Sequence, residues 1–227
     1  MKIDIVLQAR STSTRLPKKI YKPLLGKSML EQIVHRLNQV SNINHLCVAT
    51  IPQDLETIQK LLKNERCLVL AGSENNVLER FIKAGQSMGT DIMIRTTADN
   101  PFVDFFHLEK GIKLFLKNQW DYFGYTGLPY GAGFEIFQFT ALKKAYAETK
   151  KKFDLEHVTP YIYNNKDKFC IELRNVEKAY FCPDLRVTVD TLEDYEKAKH
   201  WYGKYWNKKT QTVDLRKVIQ GECSKKN

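Results

Sequence analysis

Residues 3–19 read Ile3-Asp4-Ile5-Val6-Leu7-Gln8-Ala9-Arg10-Ser11-Thr12-Ser13-Thr14-Arg15-Leu16-Pro17-Lys18-Lys19. The first five form an almost continuous apolar run, with the length and β-branched content of a strand buried on both faces. The segment behind it puts Arg10, Arg15 and Lys19 and four hydroxyls, Ser11 to Thr14, into ten residues. Pro17 bars a helix through its middle and pushes Leu16 into an extended conformation. A first strand whose carboxyl end opens into such a loop is where an α/β sheet places an anionic ligand. Hydroxyls and free backbone N–H groups donate to phosphate oxygens, and guanidiniums grip them bidentately. On spacing alone, an exposed basic loop is an equal alternative.

Working outward, Ser28 with Glu31 is a capping-box signature before a helix carrying Met29, Leu30, Ile33, Val34 and Leu37. His45 to Ile51 reads as a second buried strand, and Asp54 as the cap of a helix with Leu55, Ile58, Leu61 and Leu62 on one face. Cys67 to Leu70 is a third strand. It breaks at Gly72-Ser73 into a helix bearing Val77, Leu78, Phe81 and Ala84, with Ser73 or Asn75 as N-cap. Asp91 to Arg95 is a fourth strand ending in a turn at Asp99, where Pro101 stops the ladder. Asp104 opens a helix with Leu108, Ile112, Phe115 and Leu116, and Trp120 to Tyr125 reads as a strand.

This rhythm predicts a doubly wound, mostly parallel sheet flanked by helices. Residues 127–180 break it: glycines at 127, 131 and 133 with Pro129 make a loop or hairpin. Phe134 to Phe139 and Phe169 to Leu173 then read as strands, and Ala141 to Thr149 and Leu155 to Tyr163 as helices. Arg186 to Val189 is expected to return to the core sheet and Asp194 to Tyr205 to form a closing helix. The organisation expected is one domain over 1–207 and a polar, peripheral tail over 208–227, with no linker or repeat.

At 227 residues the chain can bury a sizeable core as one α/β domain. Lys and Arg number 36 against 26 Asp and Glu, a formal net charge of +10. The lysines fall in scattered pairs and triplets without interleaved aromatics, which suits a solvated surface better than a nucleic-acid groove. The five cysteines are far apart with no C-x-x-C, so neither a disulfide framework nor a zinc site is expected, in keeping with a reducing cytosol. No apolar run has the length of a membrane span.

Five strings, in order, resemble the cytidylyltransferases that activate sugar acids: Ala9 to Lys19 (AR-x-x-STRLP-x-K), Ala71 to Phe81, Thr97 to Pro101, Glu156 to Ile162 and Val189 to Tyr195. The resemblance runs over roughly residues 3 to 203. It is nearest the CMP-Kdo synthetase and spore-coat polysaccharide (SpsF-like) branch. It implies a Rossmann-like, GT-A-type fold in which residues 127–180 form an acceptor and dimerisation excursion, and an enzyme that works as a homodimer. It also implies transfer of CMP from CTP to a sugar-acid-like or phosphorylated acceptor, with Mg²⁺ as cofactor and pyrophosphate as leaving group.

Residue by residue, the resemblance makes Asp99 and Asp190 metal ligands and, with Arg10 and Lys19, the catalytic set. Taken blind, each aspartate reads more readily as a helix N-cap than as a metal ligand. The same resemblance assigns the nucleotide to Arg10, Ser13, Arg15, Lys19, Gly72 and Ser73, and the acceptor to Glu135 and His157. The blind alternatives are a strand-to-helix turn at Gly72-Ser73, an edge-strand charge at Glu135 and a structural histidine at His157. Lys18 and Ala98 stand where the family usually has glycine. Gly133 stands where the SpsF-like branch carries an aspartate. Two rival readings are a glycosyltransferase on the same topology, which Ala98-Asp99-Asn100 disfavours for want of a D-x-D, and a nucleotide-binding subunit without turnover.

Overall fold

The apolar run at the N-terminus is strand β1 (Ile3–Gln8), which lies inside a seven-stranded sheet. The computed structural model describes residues 1–223. The other strands are β2 (His45–Thr50), β3 (Leu68–Ala71), β4 (Ile92–Thr97), β5 (Tyr122–Thr126), β6 (Glu135–Gln138) and β7 (Ile171–Asn175). Their order is β3-β2-β1-β4-β6-β5-β7. Strands β3, β2, β1 and β4 are mutually parallel. Strand β6 runs antiparallel to both β4 and β5, and β7 is again parallel to β5.

Helices cover both faces, because the strands carry apolar residues on both. Ile3, Ile5 and Leu7 face one core with α1 (Met29–Leu37), α2 (Leu55–Leu61), α4 (Phe105–Leu116), α8 (Leu192–Tyr205) and α9 (Leu215–Cys223). Val6, Met93 and Phe137 face the other with α3 (Val77–Met88), α5 (Phe139–Glu148) and α7 (Pro160–Asn164). Helix α1 starts at the Ser28/Glu31 capping box and buries Leu30, Ile33, Val34 and Leu37 completely. At about 1.5–3 kcal/mol per buried side chain, that stripe is enough to dock it.

The excursion is woven into the main sheet, its strand β6 lying between β4 and β5. Three expectations change. Residues 186–189 do not rejoin the sheet. The place beside β4 is taken by β6, so they run as a strap, with Val187 N donating to Tyr130 O and Val189 N to Asp99 O (both 2.8 Å). Residues 208–223 are not peripheral: Val213, Leu215, Val218 and Ile219 are buried, and the buried Arg36 donates through Nη1 to Val213 O at 2.6 Å. The last four residues of the expected tail, 224–227, lie outside the described residues. Finally, Cys182 and Cys223 form a disulfide. The half-buried partners come together only because α9 packs beside the strap, which sequence spacing does not reveal.

Candidate active site

Strand order reverses between β1 and β4, and in α/β sheets a ligand crevice opens at the carboxyl ends of the strands at such a point. The first loop leaves β1 there and is braced from β2's side. Ser11 donates through N and Oγ to the two oxygens of Asp54, each at 2.7 Å. Asp54 therefore holds the loop and makes no side-chain cap for α2. Ser13 N and Lys18 N both donate to Ser11 O, and Leu16 N donates to Ser13 Oγ. This tight fold needs left-handed backbone at Lys18 (φ 56°, ψ 27°), where a side chain is strained. It turns Lys19 inward, leaving it 8% exposed.

Lys19 Nζ donates to Val189 O and Asp190 Oδ1, both at 2.9 Å, and lies 3.5 Å from Asp99 Oδ2. Arg15 Nη2 meets Asp190 Oδ1 at 3.0 Å, and Arg186 Nη2 meets Oδ2 at 2.5 Å. Burial opposes charge on Asp190, but Lys19, Arg15 and Arg186 outweigh it and hold its carboxyl below the usual aspartate range. Asp99 is oriented by Thr97 Oγ1 at 2.5 Å, and Thr97 Oγ1 itself accepts from Asn100 Nδ2. Neither aspartate caps a helix. Thr191 caps α8 in a capping box with Asp194, whose carboxylate also accepts from Asp190 N. Ala98 is buried and is not among the residues of positive φ, so its methyl does not strain the turn.

Arg10, Ser13, Arg15, Lys19, Asp99, Asp190, Glu135 and His157 all line one cleft of about 770 Å³. Gly72 and Ser73 do not. Gly72 N donates to Thr50 O, Ser73 O accepts from the buried Arg80, and Ser73 Oγ accepts from Asn76 N. A Cβ on Gly72 would fall 2.9 Å from Arg80 Cγ, so this glycine lets α3 approach the strand. The N-cap of α3 is Asn76, neither Ser73 nor Asn75.

Asp99 and Asp190, both beside the Lys19 ammonium, are oxygen donors of the kind that suit a hard cation taking its other ligands from phosphate and water. Among the described residues no group of three or more His, Cys, Asp or Glu side chains could hold a metal by itself. Asp99's side chain is one-third exposed, and Arg15, at 63%, is free to leave Asp190 for a phosphate. The donor chemistry is that of a hard divalent cation such as Mg²⁺.

The other end of the cleft rests on Glu135. It is no edge charge, because β6 is interior. Its Oε2 accepts from Arg95 Nη1 at 2.5 Å, and its Oε1 from Tyr122 OH at 2.7 Å and Thr159 Oγ1 at 2.6 Å. Thr159 reaches it because the helix expected over Leu155 to Tyr163 is broken. Helix α6 (Lys152–His157) ends, Val158 takes φ 76° in a turn closed by Thr159 N to His157 O, and α7 follows. A buried β-branched residue at positive φ is backbone strain of the kind found at functional sites. His157 is exposed on the cleft rim against Phe153. Sequence reading missed Arg95, Arg186 and Thr159. An arginine interrupting the strand IMIRTT was the signal for the first.

Comparison with known proteins fits this geometry. Residues 5–217 match the family model for cytidylyltransferases. The chain belongs to the cytidylyltransferase family. It is 32% identical over 212 residues to the spore coat polysaccharide biosynthesis protein SpsF of Bacillus subtilis, covering 89% of this chain and 87% of that one. A cytidylyltransferase structure from Leptospira borgpetersenii superposes with a TM-score of 0.88 at 28% identity, covering 99% and 96% of the two chains. A CMP:2-keto-3-deoxy-manno-octonic acid synthetase in complex with CTP superposes at 0.71 with 17% identity over 90% and 99%, a likeness of fold. Among the described residues no helix is long and apolar enough to cross a membrane.

Proposed function

We propose that this cytidylyltransferase transfers CMP from CTP to a small anionic acceptor, sugar-acid-like or phosphorylated, releasing pyrophosphate for glycan biosynthesis. The observation that carries this reading is the convergence of Lys19 on Asp190 and Asp99 at the strand-order reversal, with Arg10 and Arg15 on the same rim. An acceptor oxygen attacks the α-phosphorus and the bond to the β-phosphate oxygen breaks. Arg10 and Arg15 grip the triphosphate, Ser13 donates to it, and Lys19 faces the charge that grows on the oxygens around the α-phosphorus. Asp99 and Asp190 would hold Mg²⁺, which when bound neutralises phosphate charge and favours the leaving group. Gly72 and Ser73 act indirectly in this scheme, as the turn that sets the wall behind the nucleotide.

The acceptor end is aromatic and apolar, with Tyr122, Tyr125, Leu128, Phe134 and Leu173 in its walls, which suits the flat face of a sugar. Strand β7 is one of the sheet's two edges and carries Leu173 at 53% exposure, a place for a second copy to pair and form the homodimer. The reading puts the enzyme in the cytosol, where CTP is supplied. Pyrophosphate release is the test. CTP with Mg²⁺ and a panel of sugar acids and sugar phosphates should give turnover that ATP and GTP do not. Equal turnover with purine nucleotides would overturn the assignment.

A further inference from the structure

Glu135 is the acidic residue that the resemblance assigns to the acceptor, yet its carboxylate is already spent. Three donors, from Arg95, Tyr122 and Thr159, occupy its two oxygens. Burial, with Glu135 alongside, pushes the Tyr122 phenol well above its ordinary range, so it remains a donor. A carboxylate so saturated is a poor base and a poor direct ligand for an incoming hydroxyl.

Arg95 is in the opposite condition. It is the cross-strand neighbour of Glu135, and its Nη1 alone is committed there. Its Nε is buried with no hydrogen-bond partner, and the residue lines the cleft. Buried guanidinium N–H groups are almost always paired, and Nε with the adjacent Nη2 is the edge that meets a carboxylate bidentately. One strand away, Gln8 Oε1 is likewise buried, unpartnered and part of the cleft wall. A donor edge and a lone acceptor on neighbouring strands describe a ligand carrying an anionic oxygen pair and a hydroxyl.

We infer that Arg95 is the acceptor-specificity residue, that Glu135 is its positioning partner, and that the acceptor group it receives is a singly charged carboxylate. This rests on the transferase reading above. The charge balance favours a carboxylate over a phosphate. Arg95 shares its charge with Glu135, and among the described residues no other Lys or Arg outside the first loop lines the cleft. A phosphomonoester carrying close to two charges would be under-compensated there. The cations that could balance it, Arg10, Arg15 and Lys19, lie on the first loop, where the reading above places the triphosphate.

The test uses 2-keto-3-deoxy-manno-octonic acid and gluconate against ribose 5-phosphate as acceptors, scored by pyrophosphate release with CTP. Arg95→Gln should raise the KM for the acid about thirtyfold or more, the usual weight of a charge-assisted bidentate contact, while the KM for CTP stays within threefold. Arg95→Lys keeps the charge and loses the Nε edge, and should give an intermediate rise; it also serves if the Gln variant does not fold. Added guanidinium ion should partly restore Arg95→Ala. Glu135→Gln should raise the acceptor KM less than Arg95→Gln, with the CTP KM again fixed. An acceptor KM that moves less than threefold in both Arg95 variants, or a wild-type preference for the phosphate ester, overturns the inference. If the wild type releases no pyrophosphate with any acceptor, the transferase reading fails. Calorimetry of the two acids then decides Arg95 separately: binding lost in Arg95→Gln supports the inference, and no binding to wild type overturns it.

Discussion

The two ends of the cleft are built by opposite means. The nucleotide end is led by a single loop that follows its strand directly, folds onto its own Ser11 and is braced at its start by Asp54 and at its end by Val189 and Asp190, which hold Lys19 and Arg15. The acceptor end gathers β4, β5, β6 and the α6–α7 break from positions 95 to 159, and it is fixed by a single carboxylate with three donors. A local loop tolerates change elsewhere in the chain. An assembly of remote pieces moves whenever one of its ties is lost. The difference teaches that the cations for phosphate come from one segment that meets two remote aspartates, whereas acceptor choice belongs wholly to the tertiary structure.

The largest expected effect falls where the two ends meet. Asp99→Asn and Asp190→Asn should each lower Mg²⁺-dependent pyrophosphate release by about a thousandfold or more, as loss of a ligand or fixed charge in a water-poor site does. Asp190→Asn should also cost roughly 2–3 kcal/mol in urea unfolding, because Lys19, Arg15 and Arg186 lose their shared anion. Asp99, touched at 3.5 Å by Lys19, should cost far less stability. Near-normal activity in either variant would remove the metal assignment.

A remote tie can be cut without replacing any residue that lines the cleft. The disulfide between Cys182 and Cys223 closes a separation of 41 residues and holds the strap that pairs with Gly127 and Tyr130. Cys182→Ser should destabilise by up to ~4 kcal/mol on the loop-entropy estimate, with dithiothreitol reproducing the loss in wild type. The strap pairs with Gly127 and Tyr130 and also leads into Val189 and Asp190, which hold Lys19, so both KM values should rise, the acceptor's more than that of CTP. Equal rises would mean that the strap serves both ends alike.

A smaller tie is pH-dependent. His107 is buried on α4 between Asp104 at Nδ1, 2.6 Å, and Glu177 at Nε2, and Lys110 also bonds Glu177. Burial opposes its charge, but Asp104 and Glu177 outweigh burial and raise its pKa, while Lys110 and His107 hold Glu177 at about 2. The raised imidazole stabilises fully below its unfolded value, near ~6.5, and that stabilisation disappears as pH climbs through the folded value. The depressed carboxyl acts the other way: its share is present above the ordinary glutamate range and is lost only as pH falls toward about 2. Since Glu177 is half exposed, the alkaline loss should be ~1 kcal/mol, a few degrees of Tm between pH 6 and 9. His107→Gln should flatten that limb. An unchanged slope would place the pH dependence elsewhere.

How much was legible follows the same division. The Ser28/Glu31 box and the Asp104 cap were read correctly, because a cap is a contact between residues three apart. The parallel half followed from apolar runs alternating with helix-period stripes. Arg10, Arg15, Lys19, Asp99 and Asp190 were placed by resemblance, and the structure brings them to one cleft. Not legible were Asp54 leaving its helix for Ser11, the break at Val158, the insertion of β6 between β4 and β5, and the burial of residues 213–219. Each depends on a partner forty or more residues away, or on strain that the surrounding packing imposes against local preference.

Lys18 tests the smallest version of this contrast, entirely inside the local loop. It sits at φ 56°, where a glycine would be at ease, and it is exposed. A non-glycine residue in left-handed backbone costs ~1–2 kcal/mol, and glycine returns part of that through its looser unfolded chain. Lys18→Gly should therefore gain no more than about 1 kcal/mol in thermal unfolding, with kcat within twofold and the CTP KM unchanged. Lys18→Ala should match the parent in stability, because it keeps a Cβ in the same strained place. The pair separates geometry from charge. If both substitutions raised the KM for CTP, the ammonium of Lys18 would belong to the phosphate grip, and the loop would carry one more functional cation than Arg10, Arg15 and Lys19. If only the glycine variant changed kcat, the strain at this position would be setting the inward aim of Lys19.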